Sequence, residues 1–264
     1  MDPVLRVALA IGLFALTHLG LAWLPLRQPL VARLGRWGFT LLFSIVAWIT
    51  FGSAISTYAA HAGEGPAGLA LGAQPAVRFV LIAAIVLGSM LMAGAFAGYE
   101  DSPYAFAGEP RREPRGLERV TRHPFFVGTA LLGAAHALLA TRLVGTVLMG
   151  SLATFALLGA WLQDRKLLAL RGAPYAAYLA ASSTVPFAAI AAGRQRLVAS
   201  ELPYGMLALG FAFAWLLRSL HAHLFDHGGA YVIAALVIGP LVILVSALRR
   251  ERRSRRAAPT AAVS

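Results

Sequence analysis

The sequence predicts an all-α protein, a polytopic transmembrane helix bundle of about seven spans, with the amino end outside and the carboxyl end cytoplasmic. Three observations carry that expectation. Of 264 residues, 59% are hydrophobic and 13% charged, about half the roughly 25% charged content of a soluble domain. The apolar residues gather into long runs parted by short basic tracts, and mean hydropathy is +0.71. Finally, 19 of the 23 Lys and Arg side chains fall in alternate loops and the tail, leaving Arg6, Arg78, Arg142 and Arg218 elsewhere. That asymmetry is the positive-inside pattern. It also argues against nucleic acid as the partner of a chain with formal charge +12, because the basic residues sit in short tracts between apolar runs. The period is helical throughout, which argues against a β-barrel. The absence of cysteine excludes disulfides, cysteine-ligated zinc and iron–sulfur clusters.

The first run, Val4 to Leu24, is too long for a signal-peptide core and lacks a basic start, so it reads as a retained helix. His18 lies within it. A loop with Pro25, Arg27, Pro29, Arg33 and Arg36 leads to the second run, Trp37 to Tyr58. A glycine-rich loop without Lys or Arg precedes the third, Val77 to Ala97. A charged loop, Tyr99 to Arg122, then meets the fourth run, Pro124 to Ala140, which contains His136. The fifth is Leu143 to Leu162. The polar stretch from Asp164 to Thr184 reads as an interfacial segment, in which Gly172 ends one helical piece and Pro174 starts another, with Tyr175 and Tyr178 on one side. Residues 185–198 are ambiguous. The sixth run is Pro203 to Leu220 and the seventh Ala230 to Leu248, followed by a basic tail that reads as a disordered inner-leaflet anchor.

The stretch from Glu118 to Gly128 organises the chemistry. Pro124 has no amide hydrogen and fits the first turn of a helix, where that donor has no partner anyway. It holds His123 extended and sets Arg122 and His123 where water meets lipid. Ionisable groups at membrane depth are costly and usually functional. With the amino end outside, His18 lies roughly 10 Å and His136 roughly 18 Å from the inner surface. His123 and His136 point to different faces of one helix, so two imidazoles on one haem iron must come from different helices. On depth, His18 pairs with His136 or with His123. The competing interpretation is that each buried histidine only hydrogen-bonds a neighbouring helix. For Arg122 and His123 it is an interfacial anchor and helix cap. For Tyr175 and Tyr178 it is an interfacial aromatic belt. His221, His223 and His227 include an i,i+4 pair able to chelate a divalent ion, though a solvated outer loop is the preferred interpretation.

The segment Gly116 to Ala140, with Thr17 to Arg27 and the later Asp164-Arg165-Lys166, Gly172 to Tyr175 and Ser183 to Phe187, resembles the NnrU family of bacterial inner-membrane proteins. The resemblance covers about Val4 to Arg196. It implies a membrane domain over 1–197, of about five spans and an interfacial segment, with a two-span extension and basic tail over 198–264. NnrU proteins are associated with nitric oxide and nitrite metabolism in denitrifiers. They are similar to 15-cis-ζ-carotene isomerase, a membrane enzyme holding haem b. Its His-Ser-Gly-Leu-Ala, Arg-His-Pro and Ala-His patterns match His18 to Ala22 (with Leu19 for serine), Arg122-His123-Pro124 and Ala135-His136. This implies haem b near His18 and His136, with isomerase-like redox chemistry on an apolar substrate. A second similarity is to isoprenylcysteine and phospholipid methyltransferases, on Arg122-His123-Pro124 and on Gly172, Tyr175, Tyr178 and Pro186. It implies S-adenosylmethionine held near His123 and transfer to a lipid. Their acidic pair is replaced here by Gln163-Asp164-Arg165. A non-catalytic membrane assembly factor is the third expectation.

Overall fold

Proline punctuates this fold. The computed structural model describes residues 1–97, 113–235, 237–238 and 245. Its helices are α1 Pro3–Ala22, α2 Leu24–His61, α3 Pro75–Gly94, α4 Leu117–Val120, α5 Pro124–Leu139, α6 Leu143–Arg171, α7 Ala173–Ala181, α8 Ala188–Ala191 and α9 Tyr204–Ser219. Residues 226–235 are helical as well. Proline sits in the first turn of α1, α2, α3, α5 and α7, where its missing donor costs no hydrogen bond. Asp2 adds a side-chain cap to α1, accepting from the Leu5 amide at 3.0 Å.

Four helices, α1, α2, α3 and α6, are long and apolar enough to cross a membrane, and α5 and α9 are shorter apolar helices. They pack in the order α2, α1, α6, α5, α3, α9. Val7, Ile11 and Phe14 of α1 meet Ala54 of α2 and Val144 and Leu148 of α6. Where α3 meets α5, small residues let the backbones touch. A Cβ placed on Gly128 would lie 2.6 Å from the Gly88 carbonyl oxygen, and one on Gly88 equally close to that of Gly128. Helices in lipid associate through such close approach, because lipid is as apolar as leucine and provides no hydrophobic drive. The outer faces stay apolar: Phe79 is 75% exposed, Leu16 73% and Trp215 71%. A surface of that kind suits a bilayer rather than water.

The helices define two ends. At the Thr141 end, the Gly68 amide donates to the Thr141 carbonyl and the Leu143 amide to that of Pro66. From Leu220 the chain crosses this end, stacking His221 on His136 and Phe225 against Tyr58. The Arg122 end carries the start of α5, the close of α6 and all of α7.

Several sequence boundaries shift. The loop expected at Pro25 to Arg36 is helical from Leu24, and the chain breaks at Gly35, with φ 70° and ψ 169°. That backbone region is open to glycine and not to a side chain. Pro29 lies inside this helix. The expected end of the fifth run at Leu162 is overrun, and α6 continues to Arg171. Its polar last turns extend the helix rather than turning aside. Residues 185–198 form no spanning helix; the short α8 packs against α4. Most of the seventh run, the basic tail and much of the 99–122 loop lie outside the described residues.

Candidate functional site

Asp164 is the centre of the Arg122 end. It projects from α6 with its side chain 15% exposed. Arg122 donates to its Oδ2 through Nε and Nη2, both at 2.9 Å. His123 Nε2 donates to Oδ1 at 2.8 Å, and the Tyr175 hydroxyl to the same oxygen at 2.6 Å. Charge-assisted bonds of this length are the strong ones. The imidazole is only 2% exposed. Its side chain makes no cap bond at α5; it reaches across to the carboxylate of α6 instead.

Chain geometry assembles this cluster. The Arg122 amide donates to the Ser183 carbonyl and the Phe187 amide to that of Val120. The Thr121 hydroxyl donates to the Thr184 carbonyl at 2.7 Å. Residues 120–122 thus lie alongside 183–187. Gly172, with φ 60° and ψ −134°, turns the chain from α6 into α7, a conformation that disfavours any Cβ. The turn buries Tyr175 and Tyr178 to 2% and 1% exposure, with rings stacked at 5.7 Å. They pack with Leu167 rather than forming an interfacial belt.

Sequence analysis missed a second ion pair beside the first. Arg119 donates to Glu201 through Nε at 2.8 Å and Nη2 at 3.1 Å, and through Nη1 to Gln195 at 2.8 Å. The Gly116 amide also donates to Glu201. Arg119 and then this amide hold the Glu201 carboxyl far below its ordinary range, at about 2. The available signal was an acid immediately ahead of the sixth run, in a chain with only 11 carboxylate side chains.

The intramembrane histidines sit apart from this network. His18 lies among Phe43, Phe14 and Phe155, at ring distances of 4.4, 5.2 and 5.3 Å. Its Nδ1 is buried with no partner among the described residues. His136 donates from Nδ1 to the Leu132 carbonyl at 2.9 Å and stacks on His221 with the rings 9° from parallel. His223 pairs with Asp226. Among the described residues no group of three or more His, Asp or Glu is placed to hold a metal ion.

The structure therefore brings Arg122, His123, Tyr175 and Tyr178 together, and sets His18, His123 and His136 in three different surroundings. For haem, the donor chemistry fits singly. His18 has an unpartnered nitrogen, and a backbone bond at Nδ1 leaves Nε2 of His136 as a ligand atom. The packing does not pair them, because α1 and α5 each pack on α6 rather than on one another. For S-adenosylmethionine, both oxygens of the available carboxylate already accept from protein donors.

Comparison with known proteins places this architecture. The model of the NnrU protein family matches residues 6–228. The chain belongs to the NnrU family, and α1 to α9 all fall within or overlap the matched region. It is similar to the chloroplastic 15-cis-zeta-carotene isomerase of Arabidopsis thaliana, at 30% identity over 199 residues, covering 74% of this chain and 53% of that protein. It is similar also to the corresponding protein of Zea mays, at 38% identity over 108 residues, covering 38% of this chain and 30% of that one. The chain thus spans about half or less of the curated relatives it matches. No solved structure matches.

Proposed function

We propose that this chain is a multi-pass protein of the bacterial inner membrane that performs isomerase-like chemistry on an apolar substrate, with haem b held at His18. The observation that carries the proposal is the His18 nitrogen, buried without a partner among three phenyl rings. An unsatisfied polar atom in an apolar cage costs about 1–3 kcal/mol, so its retention calls for a ligand. Two relatives named as carotene isomerases support the substrate class. A cis–trans isomerisation of a conjugated chain conserves atoms and electrons overall, so it needs no external oxidant. Haem iron would supply reversible one-electron chemistry. His18 would orient it, Phe14, Phe43 and Phe155 would exclude water, and the exposed apolar helix faces would admit a substrate from the bilayer.

The test is spectroscopic and then chemical. Protein purified in mild detergent and reconstituted with haemin gives a Soret band that His18→Ala weakens or shifts. A wild-type protein without a Soret band overturns the haem assignment. Addition of nitric oxide to the reduced protein shifts that band, which tests the nitrogen-oxide link of the family. Incubation with 15-cis-zeta-carotene in nanodiscs, followed by chromatographic separation of isomers, tests the activity; an unchanged isomer ratio rejects that substrate.

A further inference from the structure

The histidine cage has cationic neighbours with no acid to balance them among the described residues. Lys166 of α6 is half-buried and lies within electrostatic reach of both His18 and Arg27. Arg27, in the first turns of α2, places its guanidinium 5.1 Å from the centroid of the Phe39 ring. Phe39 in turn neighbours Phe43, which neighbours His18. Aromatic contacts therefore link Arg27 to the histidine cage. Among the described residues no carboxylate pairs with Lys166 or Arg27; Glu201, Asp164 and Asp226 pair instead with Arg119, with Arg122 and His123, and with His223. Two half-buried cations within electrostatic reach of one another and without a counter-ion among the described residues repel, and desolvation adds to the cost. They lie at the Arg122 end, where α1 and α6 finish and α2 begins.

We infer that Lys166 and Arg27 form an anion clamp beside His18, which takes the acidic head of an amphiphile whose apolar body rests on Phe43 and Phe155. The shared chemistry is a carboxylate or phosphate at the membrane boundary, joined to a body that partitions into lipid. Haem carries it as two propionates, and an anionic phospholipid carries it as a phosphate. A lysine serves either as a mobile point charge, and an arginine as a fork. The haem form of the inference rests on the function proposed above; the lipid form does not.

The experiment compares Lys166→Gln, Arg27→Gln, the conservative Lys166→Arg, and Arg33→Gln as an exposed control cation. Circular dichroism and size exclusion in detergent verify folding. Haemin and its dimethyl ester, which lacks both carboxylates, are titrated into each protein by absorbance. In parallel, native mass spectrometry reads retention of phosphatidylglycerol over phosphatidylcholine from nanodiscs holding both. The expected result is a loss of about five- to tenfold in anionic ligand for Lys166→Gln and Arg27→Gln, recovery with Lys166→Arg and no change with Arg33→Gln. If haemin weakens and the ester does not, the anion is a propionate. If wild type takes no haemin yet retains phosphatidylglycerol in a Lys166-dependent way, the clamp stands as a lipid site and the haem assignment falls. If folded Lys166→Gln and Arg27→Gln bind haemin and retain phosphatidylglycerol like wild type, the clamp is overturned.

Discussion

Asp164 makes the firmest residue-scale statement. One carboxylate accepts from Arg122, His123 and Tyr175, so its loss strands a guanidinium and an imidazole in a site scarcely open to solvent. Removing one partner from such a buried set costs more than the set contributes. Asp164→Asn is expected to lower stability by about 2–4 kcal/mol, and Tyr175→Phe by about 1 kcal/mol. A thermal scan in detergent measures both, and an Asp164→Asn midpoint equal to wild type denies the carboxylate this role. Glu201 yields a pH prediction. A carboxyl whose folded value is depressed stabilises fully above its ordinary value, and that stabilisation is lost as pH falls through the folded value. With 4.5 as the ordinary value and about 2 in the fold, docking of Gly116 and Arg119 onto Glu201 holds at pH 5 and fails toward pH 2. Hydrogen exchange at the Gly116 amide, corrected for intrinsic rates, reads the change, and Glu201→Gln removes the dependence. Such networks were not legible in the sequence. Arg122 and His123 stood out through the following proline, which is local. Asp164 lies 41 residues further on from His123, and only packing assigns it both of them. Arg119 and Glu201 are 82 residues apart, with nothing local to relate them.

At the scale of helices, close approach between α3 and α5 is the sensitive feature. A Cβ on Gly128 meets the Gly88 carbonyl at 2.6 Å and the Met92 amide nitrogen at 3.0 Å, and backbone cannot step aside as a side chain can. Gly128→Ala is expected to cost about 1–3 kcal/mol despite the better helix propensity of alanine. Gly12→Ala, with nothing within 4 Å of the added methyl, should be neutral or stabilising. Equal thermal midpoints for the two variants would deny the contact its importance. Most helices were legible because apolar length and proline starts are local properties. Their ends were less so. The Asp164 to Arg171 turns are polar, yet they remain helical because the α6 backbone bonds continue and Asp164 finds partners in Arg122, His123 and Tyr175. The stretch from Leu24 to Leu34 contains two prolines and still winds as helix, with the turn displaced to Gly35, where φ is positive. Neither outcome follows from hydropathy, which measures a preference for lipid rather than the place where a helix stops.

For the whole molecule, the orientation in the bilayer decides which aqueous phase faces the Arg122 end and its cations. The two ends differ strongly in sequence. The loop between α2 and α3, with Glu64, carries no Lys or Arg, whereas the Arg122 end gathers Arg119, Arg122, Arg165, Lys166, Arg194 and Arg196. Retention of basic loops on the cytoplasmic side is the expectation that would put the Arg122 end inside. Because the chain has no cysteine, a single introduced thiol is an unambiguous reporter. Glu64 and Arg196 are exposed, so Glu64→Cys and Arg196→Cys perturb no core. A membrane-impermeant maleimide applied to intact spheroplasts should label Glu64→Cys at once and Arg196→Cys only after permeabilisation. The reverse pattern would turn the molecule over. The Lys166 and Arg27 clamp would then face the outer leaflet, and its anionic ligand would have to enter from that side.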